Sequence, residues 1–112
     1  MNTVCTQILV GTAKPVRFPS GDILATPGAL ETLERYRTPP FDLLKRHFTG
    51  DWGDLDDHDK NANEMAVSEG SRVFSAYVLP APPDNASLDA AKIWVITEAD
   101  RSATTLLLPE EY

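Results

Sequence analysis

Two apolar, β-branched runs near the C-terminus constrain the fold more than any other feature. KIWVITE (92–98) and ATTLLLP (103–109) are separated by four small or polar residues, ADRS. Each run is too short for an ordinary helix, and Ile, Val and Thr favour a pleated surface, so both read as strands. A four-residue polar gap closes them into a hairpin. Just upstream, SRVFSAYVLP (71–80) alternates, with Val73, Tyr77 and Leu79 on one side and Phe74, Ala76 and Val78 on the other. The three runs predict an antiparallel meander, with the Pro- and Ala-rich stretch PAPPDNASLDAA (80–91) joining the first strand to the second. So small a sheet needs a covering layer.

The N-terminal half supplies it. In GDILATPGALETLERY (21–36), a short strand from DILAT turns into a helix. Thr26 is placed to cap, and Pro27 occupies the first helical position, where its missing N–H costs nothing. Leu30, Leu33 and Tyr36 or Arg37 follow at helical spacing. RTPPFDLLKRHFTG (37–50) repeats this grammar, with Thr38 as cap, Phe41, Leu44 and Phe48 as stripe, and Gly50 as stop. A third helix runs from Asp56 or Asp57 to Glu69 before Gly70, its apolar side Ala62, Met65 and Ala66, with His58 on the same stripe.

The expected fold is α+β: two or three N-terminal helices packed on a small antiparallel sheet that ends in the three-strand meander. Both faces of IWVI are apolar, and helices can cover one. The other must be covered by the N-terminal arm, by the 80–91 connection or by a second copy, which would make a homodimer through the sheet face. Phe41, Phe48, Trp52, Phe74, Tyr77 and Trp94 are assigned to the core.

A chain of 112 residues, 42% hydrophobic and 24% charged, is sized for one domain. Residues 1–17, bounded by Pro15 and Pro19, read as a flexible N-terminal arm in which QILV could form an edge strand; residues 18–112 read as a single domain. The single cysteine, Cys5, suggests a reducing compartment. No basic segment precedes an apolar run as in a signal peptide, and no run approaches membrane-spanning length, so the expectation is a cytoplasmic protein without membrane contact.

Charge is placed unevenly. Of the net −7, residues 51–69 carry Asp51, Asp54, Asp56, Asp57, Asp59, Glu64 and Glu69 against Lys60, a local −6. Carboxylates at the start of the third helix cap free N–H groups and favour the dipole, by about 0.3–1 kcal/mol each. Only one or two can cap. The surplus suggests an acidic docking face for a protein partner, with Trp52, between two glycines in GDWG, as a candidate anchor unless it is core. Direct nucleic-acid binding is not expected, because phosphate contacts need clustered Lys and Arg. The candidate partner-binding residues are Asp51, Trp52, Asp54, Asp56, Asp57, Asp59 and Asn63, together with Glu98, Asp100 and Arg101 at the hairpin tip.

Chemistry fits less well. A calcium loop starting at Asp57 has Asp59 and Asn61 in place, but Ala62 stands where glycine is needed and Ser68 where a bidentate glutamate is needed. Cys5, His47 and His58 are too far apart in sequence for a zinc pattern. No metal and no cofactor is expected. Ser71 and Ser75 lack a nearby histidine, and no nucleophile elbow is present. Glu98, Arg101 and a histidine could serve as base, clamp and acid in RNA cleavage, and the element order is similar to that of small ribonuclease toxins. The acidic balance opposes that reading, and Asp100 capping its own loop with Arg101 paired to a carboxylate is the simpler one.

Taken together, ATPGAL, GDWGDL, DKNANE, SAY and KIWVITEADRSATTLLLPEEY resemble a family of small uncharacterised bacterial "plasmid-related" proteins of plasmids and integrative elements. The resemblance covers about residues 18–112 and implies a genetic setting without a mechanism. Some members carry a restriction–modification subunit label, but no glycine-rich cofactor loop follows a strand here. The expectation is a non-enzymatic accessory or regulatory protein of a mobile element, working by protein contact through its acidic face. The alternatives are an anti-defence inhibitor that imitates DNA charge and a small ribonuclease-like enzyme.

Overall fold

The structure, a computed structural model, describes residues 15–112. The expectations for QILV and Cys5, and the arm up to residue 14, lie outside the described residues. The elements in order are β1 (Asp22–Ala25), α1 (Pro27–Arg35), α2 (Pro40–Phe48), α3 (Asp57–Glu69), β2 (Val73–Leu79), β3 (Ala91–Thr97) and β4 (Ala103–Leu107). Short 3-10 turns cover Pro83–Asn85 and Pro109–Glu111. The fold is α+β, and the sheet order is β1-β4-β3-β2.

The meander is as expected, with β2 antiparallel to β3 and β3 antiparallel to β4. The all-antiparallel sheet is not: β1 pairs parallel to β4, Ile23 opposite Thr104 and Leu24 opposite Thr105. Parallel pairing needs a long return connection, and three helices lie between β1 and the meander, so no tight turn forces the opposite direction.

Thr26 caps α1 as expected, its hydroxyl accepting from the Ala29 N–H at 3.1 Å. Thr38 does not cap α2. The N-cap is Pro39, with extended dihedrals and no side-chain bond, and the Thr38 hydroxyl donates to the Tyr36 carbonyl instead. A residue before proline is driven out of helical geometry, so Pro39 holds the helix start at Pro40 and leaves Thr38 outside.

All three helical stripes are rotated from expectation. In α1 the buried positions are Ala29 and Leu33, while Leu30 is 49% exposed. In α2 the buried positions are Leu43, Leu44, His47 and Phe48, while Phe41 is 67% exposed. In α3 they are Asn63 and Ala66; Met65 is 58% exposed, and His58 faces solvent. One residue is about 100° around a helix, so a small error of phase exchanges an inward position for an outward one.

The core lies between the helices and one sheet face. Ala29, Leu33, Leu44, Phe48 and Ala66 meet Val73, Tyr77, Leu79, Ile93, Val95 and Leu106. Phe74 and Trp94 belong to the opposite face, where their rings meet edge to face at 4.9 Å and Tyr112 leans on Trp94 at 5.8 Å. No described helix is long and apolar enough to cross a membrane.

Candidate functional site

The acidic stretch begins with a backbone device. Gly50 and Gly53 have φ of 94° and 77°, and they fold GDWG back against the edge of β2. The Trp52 carbonyl accepts from the Ala76 N–H at 3.2 Å, and the Asp54 N–H donates to the Ala76 carbonyl at 2.6 Å. A Cβ on Gly53 would stand 2.1 Å from the Ala76 oxygen, so only glycine fits there.

This turn drives Trp52 into the core, 4% exposed and stacked 6.3 Å from Phe18. Trp52 is therefore no surface anchor. Its indole N–H donates to Glu64 at 3.0 Å, and Arg17 grips the same carboxylate with two bonds of 2.9 and 2.7 Å. The Arg17 bonds hold the Glu64 carboxyl below its ordinary range, with Trp52 adding to the effect. Arg17, at the end of the expected arm, is thus anchored to the domain; its N–H also donates to the Phe48 carbonyl.

Several other candidate groups serve the fold. Asp51 pairs with Arg46 at 2.7 Å and accepts from the Gly53 N–H, while its carbonyl takes the Tyr77 hydroxyl. Burial raises the Tyr77 pKa, and that hydroxyl stays protonated. Asp56 is the N-cap of α3, accepting from the Asp59 N–H at 2.8 Å. Asn63 is buried and faces inward, an interior contact where a partner contact was expected. Its amide group donates to the Phe74 carbonyl and accepts the Phe74 N–H, closing the edge of β2 with a side chain in place of a strand.

Asp54, Asp57 and Asp59 remain. All three are exposed, and Asp54 and Asp57 have no side-chain hydrogen bond or ion pair among the described residues. Asp59 has a long 3.5 Å contact to His58. Donor atoms of Asp56, His58 and Asp59 lie within 4.8 Å of one another. Each is exposed and Asp56 is already capping, so water competes at every ligand position.

The hairpin tip does not join this patch. Asp100 accepts from the Ser102 N–H at 3.0 Å, and its bonds to Ser102 hold its carboxyl low. Arg101 has φ of 60° and forms no carboxylate pair among the described residues. Its guanidinium donates to the Ser71 carbonyl at 2.6 Å, the Ala66 carbonyl at 2.9 Å and the Glu98 carbonyl at 3.2 Å, and it lies over the Phe18 ring. Arg101 thus clamps the C-terminal end of α3, which has no basic residue in its last turn. The acid patch is at the other end, about 18 Å away for a helix of this length.

The base–clamp–acid arrangement also fails to assemble. His47 is fully buried, His58 is on the solvent side of α3, and Arg101 is occupied by backbone carbonyls. His47 instead anchors a buried polar chain that sequence reading missed. Its Nδ1 is 2.6 Å from the Ser75 hydroxyl, its Nε2 is 2.9 Å from Thr97, Thr97 is 2.8 Å from Thr104, and Thr104 donates to the Ser20 carbonyl. A signal existed: His47 follows Leu43 and Leu44 at helical spacing, and Ser75 and Thr97 share strand parity with core residues. Burial, and then the positive charge of Arg101, lower the His47 pKa to about 3.

No protein-family model, curated protein or solved structure matches the chain.

Proposed function

We propose that this chain is a non-catalytic accessory protein that works by contact with a basic protein partner, docking on Asp54, Asp57 and Asp59 at the start of α3. The observation that carries the reading is a division of labour. Asp51, Asp56 and Glu64 are consumed by internal bonds, while these three carboxylates stay in solvent beyond what capping requires. Like charges held together cost stability, and a cationic partner removes that cost. The patch covers about one helical turn, which suits a protein contact better than an imitation of an extended phosphate track. The resemblance to plasmid-borne proteins supplies the setting, an accessory gene of a mobile element.

The test is a three-way neutralisation, Asp54→Asn, Asp57→Asn and Asp59→Asn, which leaves the Asp56 cap intact. Pull-down from the native host with mass spectrometry identifies the retained protein, and its affinity is then measured with purified components. The variant should lose at least tenfold in affinity, and the wild-type affinity should fall with salt, at a nearly unchanged melting temperature. Equal binding by the variant would overturn the reading.

A further inference from the structure

The sheet face turned away from the helices carries an apolar band whose layout the register fixes. One row reads Leu24, Thr105, Ile96 and Phe74 across β1, β4, β3 and β2; the next reads Leu107, Trp94 and Ala76. Past the first row stand Asp22 on β1 and Arg72 just before β2, at opposite margins of the sheet. Leu24, Val78 and Tyr112 are exposed and Phe74, Trp94 and Thr105 half-buried, while Ala76, Ile96 and Leu107 are already buried within the single chain, so the open part of the band is its margins and its aromatic centre. A cavity of about 190 Å³ opens among Arg72, Phe74, Trp94, Ile96 and Tyr112.

The charges at the margins are unusual for this molecule. Among the described arginines, Arg72 is the one with neither a carboxylate nor a backbone carbonyl as partner; it donates to the Tyr112 hydroxyl and lies over that ring. The Asp22 side chain likewise has no hydrogen bond or ion pair among the described residues.

We propose that a second copy of this chain covers the band, with the two-fold axis running along the strands between β3 and β4. That operation exchanges β1 with β2 and β4 with β3 while keeping each row in place. Leu24 then meets Phe74 of the second copy, Leu107 meets Trp94, and Asp22 meets Arg72 twice, once at each margin. Aligned sheet packing of this kind is a standard solution for two apolar faces. A two-fold across the strands fits worse, because it lays Arg72 on Val78 and leaves Asp22 past the end of the band. Four strands about 4.8 Å apart give roughly 400 Å² per copy, less than a permanent dimer buries, so the pairing is a weak one that fills only at high protein concentration.

Analytical ultracentrifugation of the full chain over a concentration series decides it. The wild type should shift from its 12.3 kDa monomer to twice that mass. Asp22→Arg and Arg72→Asp should each weaken the dimer at least tenfold with little change in melting temperature, and the double swap should restore most of it. Leu24→Glu should give a folded monomer. A wild type that stays monomeric at its highest soluble concentration would overturn the proposal. So would a dimer that all these variants leave unchanged, since another surface would then be holding it.

Discussion

At the residue scale, the buried histidine is the most constrained group. The chain of hydroxyls fixes its proton. The Ser20 carbonyl can only accept, so Thr104 spends its hydrogen there. Thr97 must then donate to Thr104, and His47 Nε2–H must donate to Thr97. That leaves Nδ1 bare to accept from Ser75. His47 is therefore the neutral Nε2–H tautomer, and nitrogen chemical shifts of the ring should show it. Thr97→Val keeps the shape of the side chain but strands the Nε2–H and removes a donor to Thr104. Leaving such groups unsatisfied should cost about 2 kcal/mol, read by urea denaturation. A change below about 0.5 kcal/mol would mean the chain of bonds contributes little.

At the scale of elements, Arg101 joins the hairpin to the end of α3, and sequence suggested a different role for it. Arg101→Ala should destabilise by about 2 kcal/mol, through three lost carbonyl bonds and the packing on Phe18. Arg101→Lys should recover less than half, because an ammonium cannot reproduce the planar fork. Arg101→Gly should be milder than Arg101→Ala, since glycine relieves the positive φ that alanine would keep. If alanine and glycine behave alike, backbone strain at this turn is negligible. The elements themselves were legible because their signals are local: alternation in β2, the ADRS gap, Thr26 before Pro27, Gly70 after α3. The phase of the three helices, the parallel placement of β1 and the capture of Asn63 and Arg101 were not. Each of those depends on a contact between segments far apart in sequence, such as Asn63 with Phe74 across the edge of β2. In the candidate site, composition revealed the surplus of acid, but not which carboxylates are spent. Asp51 and Glu64 are occupied by Arg46 and Arg17, and nothing in the local pattern of 51–69 announces that.

At the scale of the whole molecule, these groups set how stability responds to acid. The unfolded chain binds a proton at His47 near pH 6.5, whereas the folded protein resists until about pH 3. Between those values the unfolded state holds more protons, so stability falls as pH drops, by up to about 1.4 kcal/mol per unit. At pH 4.5 His47 alone removes roughly 2–3 kcal/mol. Glu64 acts in the same direction at lower pH, because its folded pKa is depressed and its pairing with Arg17 is lost as it protonates. Opposing them, neutralising the excess acid relieves self-repulsion as the pH nears the isoelectric point of about 4.6. Burial of the imidazole is the larger effect per group, because the surface repulsion is spread through solvent and screened by salt. Melting temperature should therefore decline steadily from pH 7 to pH 4.5. In His47→Gln, which keeps polar atoms near Ser75 and Thr97 but does not titrate, the baseline should be lower and the slope between pH 6.5 and 4.5 much shallower. An equally steep slope in that variant would place the acid sensitivity on the carboxylates and remove His47 from the account.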